Sequence, residues 1–324
     1  ALIRLDYGSS LRNVPESVVL SNVFDPNGFS LYQIESSWYG LQVNLVDNKL
    51  VHYSFGDRLS NDPTEELLED IGLYDGNNDV TSTVDGDSVY VFVPSSATNS
   101  FVRLRYEGSD VTNIIADTIS ISNFSTVNDI QFIRECDSWY GLITSFSDSK
   151  VSKLSFGTSL SSTPIIDPVS GGFASAAKVE LVVDGNNYYG FVQLRGGSLI
   201  RLNFGESMNN TPEYTDLGNL GILPSNSFAF SMGKDSSEWT AYGIGFSDNT
   251  LYQISFPDDC SASTSESSVF EPQGISYSTS GIKYIELEAT DAHGNVSYYL
   301  DSVEVSSDTA PDPSFSIDPS RCIT

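Results

Sequence analysis

Short segments in which apolar and polar residues alternate recur along the whole chain. Residues 50–55 (Leu-Val-His-Tyr-Ser-Phe) follow the aromatic and β-branched segment 38–43 and a polar turn at Asp47 and Asn48. Two such segments joined by a polar turn predict a β-hairpin. Helical periodicity is confined to residues 64–70, one or two turns at most. The pattern therefore predicts an all-β fold.

An internal repeat organises these segments. Residues 2–16 match residues 199–213 without a gap, and the strand pattern of each copy ends on an aromatic residue. These marker aromatics are Tyr7, Phe55, Tyr106, Phe156, Phe204 and Phe256. Their numbers differ by 48, 51, 50, 48 and 52, so the period is about fifty residues. The three tryptophans confirm it, since Trp38, Trp139 and Trp239 each precede a marker by 17 residues.

A period of about fifty with several short strands and many turns is typical of β-propeller blades of four strands each. The β-branched alternation disfavours a helical solenoid, and one period is too short for a separate sandwich domain. We expect residues 1–258 to form propeller repeats, as five full periods plus a partial unit. Because the sequence opens inside a repeat, we expect upstream sequence to complete the ring. The repeat leaves the blade number open.

A different pattern begins near residue 259. Residues 281–295 alternate apolar and polar side chains, with Ile285, Leu287 and Ala289 predicted to face inward, and end in an Asp-x-x-Gly turn. This segment resembles a PKD domain, with Lys283 standing where that family usually has an aromatic residue. The resemblance implies an Ig-like β-sandwich. It would cover residues 259–307, and residues 308–324 would start a second such domain, with a partner for Cys322 further along.

The fifty-residue units also carry a resemblance. Trp-Tyr-Gly at Trp38 and Trp139, and Phe-Gly-x-Ser-Leu at Phe156, resemble repeats that precede PKD arrays. Such arrays occur in very large cell-surface proteins of Bacteroidota that the type IX secretion system exports, including SprB-like gliding adhesins. The resemblance implies an extracellular, cell-surface adhesion module and names no ligand.

Charge limits the partners. Fifteen Lys and Arg residues against 43 Asp and Glu residues give a net charge of −28, which excludes binding to a nucleic-acid backbone. No segment has the roughly 18 apolar residues that a membrane-spanning helix needs, and the first residues lack the apolar core of a signal peptide. We therefore expect a polysaccharide, a surface ligand or another cell-surface protein as partner.

Cysteines and histidines offer little catalytic chemistry. Cys136, Cys260 and Cys322 are odd in number and widely spaced, so they predict neither a disulfide framework nor a C-x-x-C metal site. His52 and His293 are the only histidines, which leaves zinc or Ser-His-Asp catalysis few candidates. We interpret both as ordinary surface residues.

Aromatic and acidic residues supply the candidate binding sites. The tryptophans could stack on sugar rings, but an aromatic repeated in each blade is more often packing between blades. The non-repeated Phe24, Phe173 and Tyr214 are better ligand candidates. An oxygen-rich loop could hold calcium, and its residues are Asp75, Asn77, Asp79, Asp85 and Asp87. Because its spacing is not that of an EF-hand, we interpret it as solvated turns and predict no cofactor.

These observations lead to the hypothesis of a non-enzymatic adhesion or interaction module at the cell surface. Two alternatives stay open, a carbohydrate-active propeller enzyme and a purely structural subunit of a surface assembly. A glycosidase needs only two suitably placed carboxyl groups, and the chain has many. However, no sialidase-type Ser-x-Asp-x-Gly-x-Thr-Trp box is present, and the sequence nominates no particular catalytic pair.

Overall fold

The computed structural model describes two compact units, residues 1–256 and 257–323. In the first unit the undescribed residues are 1, 9, 12, 22–25, 45–48, 70, 74–75, 77–78, 96, 221–222, 224–226, 236–237 and 246–249. In the second unit the described stretches are 267–269, 273–277, 281–290 and 296–305. All regular secondary structure in the described residues is β-strand, so the all-β prediction is confirmed. None of these residues forms a helix that could span a membrane.

The first unit is a five-bladed β-propeller. Blade 1 contains β3 (Pro26–Ile34), β4 (Ser37–Asn44), β5 (Leu50–Gly56) and β6 (Thr64–Leu68). Blade 2 contains β7 (Thr81–Asp85), β8 (Ser88–Pro94), β9 (Ser100–Glu107) and β10 (Ile115–Ser120). Blade 3 contains β11 (Asp129–Glu135), β12 (Ser138–Ser145), β13 (Lys150–Gly157) and β14 (Ile165–Pro168).

Blade 4 repeats this arrangement, and blade 5 shows three strands among the described residues. Blade 4 contains β15 (Ala176–Asp184), β16 (Asn187–Leu194), β17 (Leu199–Gly205) and β18 (Glu213–Asp216). Blade 5 contains β19 (Ser227–Asp235), β20 (Glu238–Gly245) and β21 (Thr250–Phe256). A separate two-stranded sheet consists of β1 (Leu2–Asp6) and β2 (Glu16–Ser21).

Each blade is an antiparallel meander in which strands adjacent in sequence are paired. The first strands of successive blades contact one another, β3 with β7, β7 with β11, β11 with β15 and β15 with β19. These strands are therefore the innermost ones and line the axis of the propeller. Residue 64, predicted to start a helical turn, instead starts β6, because residues 64–68 pair with β5 as the outer strand of blade 1.

The hydrophobic core lies between the blades. Trp139 of blade 3 is buried in one cluster with Tyr90 and Phe92 of blade 2. Trp38 is half-buried against Val51, Tyr53 and Phe55, and Leu2 and Leu20 of the two-stranded sheet pack against the same cluster. The tryptophans therefore pack against the preceding unit, as the repeat predicted.

A short loop after each marker aromatic explains the repeated Gly and Asn residues. Gly56 and Gly205 adopt φ of 68° and 64°, a conformation that favours glycine. Six residues after the marker, Asn61 and Asn210 each donate a side-chain hydrogen bond of 2.8 Å to the marker's carbonyl oxygen. The repeat is thus a structural device that turns the chain from the third strand to the fourth.

The same loops join neighbouring units. In several units, the side chain of the residue three positions before the marker aromatic donates a hydrogen bond to the next unit. The acceptor is the backbone carbonyl oxygen of the residue four positions after that unit's own marker. These hydrogen bonds are Arg4 to Leu59 (3.0 Å), Arg103 to Leu160 (2.5 Å), Lys153 to Met208 (2.9 Å) and Gln253 to Leu11 (2.8 Å). Because Gln253 belongs to blade 5 and Leu11 follows β1, the two-stranded sheet lies between blade 5 and blade 1.

His52 occupies this same position in blade 1, and the interpretation of it as a surface residue is wrong. Its ring is buried, and its Nε2 lies 2.8 Å from the hydroxyl of Tyr32, which accepts a hydrogen bond of 2.9 Å from Tyr106. Burial lowers the pKa of His52 to about 4. The imidazole is therefore neutral in the folded protein at pH 7.

We expect His52 to make the fold sensitive to mild acid. Its folded pKa of about 4 lies below its ordinary value of 6.5, so the unfolded chain binds more protons between these values. Stability is therefore complete above pH 6.5 and falls by about 3 kcal/mol as the pH drops to 4. Urea unfolding at several pH values should show this slope, and His52→Gln should flatten it. An equal slope in the variant contradicts the assignment.

The second unit shows one antiparallel pair, β22 (Gly281–Thr290) with β23 (Val296–Val305). Ile285 and Leu287, predicted to face inward, are exposed. No sandwich is present in the described part of this unit, because no second sheet covers the pair there. Residues 308–324, expected to start a second such domain, lie outside the described residues, as does His293.

Candidate functional site

Polar residues at equivalent positions of the innermost strands meet near the propeller axis. When the hairpins of the five blades are aligned, one residue of each blade falls at an equivalent position near the start of the innermost strand. This first set is Gly28, Asp79, Asp129, Lys178 and Ala229. A second set lies two residues further along, Ser30, Thr81, Gln131, Glu180 and Ser231. Blades 2, 3 and 4 thus contribute charged groups, whereas blades 1 and 5 contribute small residues.

The first set contains a buried ionic cluster. The Nζ of Lys178 in blade 4 forms an ion pair with the carboxylate of Asp79 in blade 2. Asp129 of blade 3 accepts hydrogen bonds from the backbone N–H groups of Ile130 (2.8 Å) and Val179 (2.7 Å). Since the ion pair joins blades 2 and 4 past blade 3, it spans the axis.

The carboxyl group of Asp129 lies beside this ion pair, and its pKa is strongly raised. Burial raises the pKa of Asp129 well above its usual range, and the neighbouring Asp79 raises it further by charge and by a hydrogen bond. Burial alone would lower the pKa of Lys178, but the attraction of Asp79 and Asp129 outweighs it and raises that pKa. The ion pair of Lys178 with Asp79 partly offsets the cost of burying these charged groups.

Glu180, in the second set, is half-buried. Burial raises the pKa of Glu180 to about 7, the charge of Asp79 adds to this, and a hydrogen bond from the backbone N–H of Met232 opposes it. At neutral pH a large fraction of Glu180 is therefore protonated. A carboxyl group of this kind can donate a proton to a bound molecule.

Gly28 allows blades 1 and 2 to approach closely at this point. A Cβ atom at residue 28 would lie 2.5 Å from Oδ1 and 2.6 Å from Cα of Asp79, and 2.7 Å from the backbone N of Val80. Backbone atoms cannot move aside as a flexible side chain can. The glycine therefore permits Asp79 to take its place in the cluster.

We expect Gly28→Ala to destabilise the propeller by at least about 2 kcal/mol, because the added methyl group overpacks a contact with backbone. Chemical denaturation measures this change. Gly196→Ala is the matched control, since a Cβ atom there meets nothing within 4 Å. Equal stability of both variants would show that blades 1 and 2 are not in close contact at the axis.

The aromatic candidates from the sequence lie elsewhere. Phe173 is buried and packs edge-on against Tyr214, with ring centroids 5.7 Å apart. Tyr214 is exposed at its edge, and its hydroxyl donates a hydrogen bond of 2.9 Å to the carbonyl oxygen of Gly172. Phe24 lies outside the described residues. These two aromatics form a packing pair at the outer part of blade 4.

The structure separates the residues of the predicted calcium loop. Asp79 belongs to the axial cluster before β7, whereas Asp85 is the last residue of that strand and Asp87 lies in the turn after it. Asp75 and Asn77 lie outside the described residues. Within the described part of the chain, no group of three or more His, Cys, Asp or Glu residues is arranged to hold a metal ion.

One cysteine forms a disulfide bond, whereas the spacing of the cysteines in the sequence left their pairing open. Cys136, in the turn between β11 and β12, is disulfide-bonded. Wide spacing along the chain hid this bond from the sequence, because disulfide partners need proximity only in the fold.

Comparison with known proteins finds no matching family model and no matching curated protein. Similar solved structures include CoXyl43, a GH43 β-xylosidase/α-arabinofuranosidase from a compost metagenome. The two chains are 9% identical, the match covers 86% of this chain and 95% of that chain, and the TM-score is 0.48. A GH43 enzyme from Xanthomonas citri complexed with xylose has 8% identity, coverages of 86% and 91%, and a TM-score of 0.49. The fucose-specific lectin of Aleuria aurantia has 11% identity, coverages of 68% and 70%, and a TM-score of 0.47.

The strand order already shows that the first unit is a five-bladed propeller, and at identities of 8% to 11% the likeness to these structures is one of fold alone. Glycoside hydrolases and carbohydrate-binding lectins are the main functions among them. The hypothesis of a non-enzymatic adhesion module is therefore wrong as the leading interpretation, and the enzyme alternative fits these findings better. The sequence missed it because no single motif marks the axial carboxyl groups.

Proposed function

We propose that this protein is a carbohydrate-active propeller enzyme that hydrolyses glycosidic bonds at its axis. The observation that carries this proposal is the half-buried Glu180, which has a pKa of about 7. It lies near enough to Asp79 and Lys178 for their charges to shift this pKa. Glycoside hydrolysis needs two carboxyl groups, one protonated and one ionised, on either side of the bond that breaks. The axis supplies two neighbouring carboxyl groups, Glu180 and Asp79, the second held in an ion pair with Lys178.

The burial and the contacts of each axial side chain define its role in the proposed hydrolysis. Glu180 donates its proton to the glycosidic oxygen as the sugar C–O bond breaks, and Asp79 accepts a proton from the water that adds to the sugar. Lys178 positions Asp79 through their ion pair and balances its charge. Asp129 is buried and fixed by two backbone N–H groups, so it acts as a positioning residue for Asp79.

A panel of aryl glycosides and soluble polysaccharides, including xylans, arabinans and fucosylated glycans, tests this proposal. Release of reducing sugar or of the aryl group by the purified chain supports it. Binding without turnover across the panel would favour a lectin, and neither binding nor turnover would favour a structural subunit. Either result overturns the enzymatic proposal.

We further infer that the enzyme acts outside the cell, at the surface of a bacterium. The disulfide bond at Cys136 supports an oxidising compartment, and the net charge of −28 suits a secreted protein. The PKD-like sequence of residues 259–307 supports a large Bacteroidota surface protein exported by the type IX system, with polysaccharide as its partner. Antibody labelling of intact against permeabilised source cells tests this, since labelling only after permeabilisation contradicts it.

A further inference from the structure

A cavity lies at the outer rim of the propeller, between blade 1 and blade 2. The residues around it, which define what we call the rim groove, include Leu67, Leu68, Gly72, Val111 and Ile114. Leu68 and Val111 are each 7% exposed and form its base. Its volume is about 470 Å³, within the usual range of binding sites. The rim groove thus offers an aliphatic base in a space large enough for a ligand.

Aromatic side chains fill the corresponding space at two other junctions between blades. Phe124, which follows β10, is buried in a cluster against which Ile166 of β14 packs. Phe173, which follows β14, packs against Tyr214 of β18. In the described part of the connection between blades 1 and 2, Gly72 lies beside the cavity. A glycine cannot fill the space that a phenylalanine fills elsewhere, so the rim groove stays open.

One wall of the rim groove is the free edge of β6. Successive residues of a strand point to opposite faces of its sheet. Because the consecutive residues Leu67, Leu68 and Glu69 all line the groove, it lies along the edge of the strand and not on one face. The other edge of β6 pairs with β5, and β6 is the last strand of its sheet in the described part of the chain. The outward N–H and C=O groups of β6 can therefore pair with an added strand.

The side chains along this edge are mainly acidic. Glu65, Glu66 and Glu69 are exposed, and Lys49 forms an ion pair of 2.8 Å with Glu69. Like charges on facing strands repel, which disfavours pairing of β6 with the same edge of a second copy. The same carboxylates attract lysine and arginine, and Leu67, which is 50% exposed, offers an apolar contact. The complementary partner therefore carries both basic and aliphatic side chains.

We propose that the rim groove binds an extended basic segment of another protein, which adds to β6 as a fifth strand of blade 1. Aliphatic side chains of the segment lie over Leu68 and Val111, and its lysine or arginine side chains lie against Glu65 and Glu66. The free strand edge selects an extended peptide, and the charge of the edge selects a basic one. The proposal is independent of the enzymatic function, because the groove lies at the rim and the carboxyl groups of that function lie at the axis.

A fluorescein-labelled peptide of sequence Lys-Leu-Lys-Leu-Lys-Gly is the probe. It should bind the full chain saturably in fluorescence anisotropy. Replacing its leucines by serine keeps the charge, and replacing its lysines by glutamate keeps the apolar side chains; each change should weaken binding at least tenfold. Equal binding of the serine peptide would mean that the acidic surface alone attracts it. That result, or no saturable binding of the first peptide, overturns the proposal.

Leu67→Lys and Ile165→Lys form a matched pair of variants. Each places a lysine at an exposed apolar residue of an outer strand, so both change the net charge by the same amount and neither disturbs the core. Leu67→Lys should weaken binding at least tenfold, and Ile165→Lys, in blade 3, should leave it unchanged. Equal affinity of the two variants would place the peptide outside the rim groove and contradict the proposal.

Methylation of the peptide backbone tests the strand pairing itself. Only alternate N–H groups of an added strand face the strand that it pairs with. Peptides methylated at the backbone nitrogens of the leucines or of the lysines should therefore differ at least tenfold in affinity. Equal affinity would mean that the groove holds side chains without strand pairing. A dimer of the unmodified chain in sedimentation that Leu67→Lys disrupts would assign the groove to a second copy, and either result overturns the proposal.

Discussion

Glu180→Gln should lower kcat about 100- to 10,000-fold on the substrate that the glycoside panel identifies. The amide cannot donate the proton that the leaving oxygen needs, and general acid catalysis contributes an effect of this size. The wild-type rate should also fall as the pH rises above about 7, because Glu180 then loses its proton. Steady-state kinetics from pH 5 to 9 measures both effects.

The variant should fold normally, since blade 3 already carries Gln131 at the equivalent position. Glutamine also keeps an oxygen that can accept the hydrogen bond from Met232. Glu213→Gln, the same change on an exposed outer strand of blade 4, is the control and should keep full activity. A folded Glu180→Gln protein with wild-type kcat would remove Glu180 from the mechanism.

Trp139→Ala should destabilise the propeller by about 3 to 5 kcal/mol, the usual range for truncating a buried aromatic residue. Trp139 is buried between blades 2 and 3, and the Arg134 guanidinium lies over its ring, 5.6 Å from the ring centroid. The substitution leaves a cavity between two sheets that cannot close without moving a whole blade. Urea unfolding followed by circular dichroism measures the loss.

Ile165→Ala, at an exposed site of the same blade, is the control and should change stability by less than about 0.5 kcal/mol. A stable Trp139→Ala protein that has lost sugar binding would reassign this tryptophan to a ligand site. That result would also question the assignment of the other two tryptophans to blade packing.

The repeat made the blades predictable. The marker aromatics and tryptophans define the hairpin of the second and third strands, and the structure places them as that pattern requires. The fourth strand was missed in blade 1 because the acidic run in residues 64–70 suggests a helical turn. Comparing copies would have corrected this, since Thr64, Ile115, Ile165 and Glu213 each start a strand nine residues after a marker.

The axial cluster was harder to predict because its residues differ from blade to blade. Asp79, Asp129 and Lys178 occupy equivalent positions, but the sequence comparison followed residues that repeat, and these do not. A signal exists, because each is a charged residue directly followed by a β-branched apolar one, Val80, Ile130 or Val179. Their meeting at the axis follows from closure of the ring, which brings together segments about fifty residues apart.

The measurement that tests the central claim most directly is a ¹³C NMR titration of the Glu180 side-chain carboxyl in the full chain. Selective glutamate labelling, with Glu180→Gln to assign the signal, makes the group observable. We predict a midpoint near pH 7, which would show a carboxyl group that holds its proton at neutral pH and can serve as the acid. A midpoint near the ordinary value of 4.5 would mean that Glu180 is ionised at neutral pH, and it would contradict the proposed mechanism.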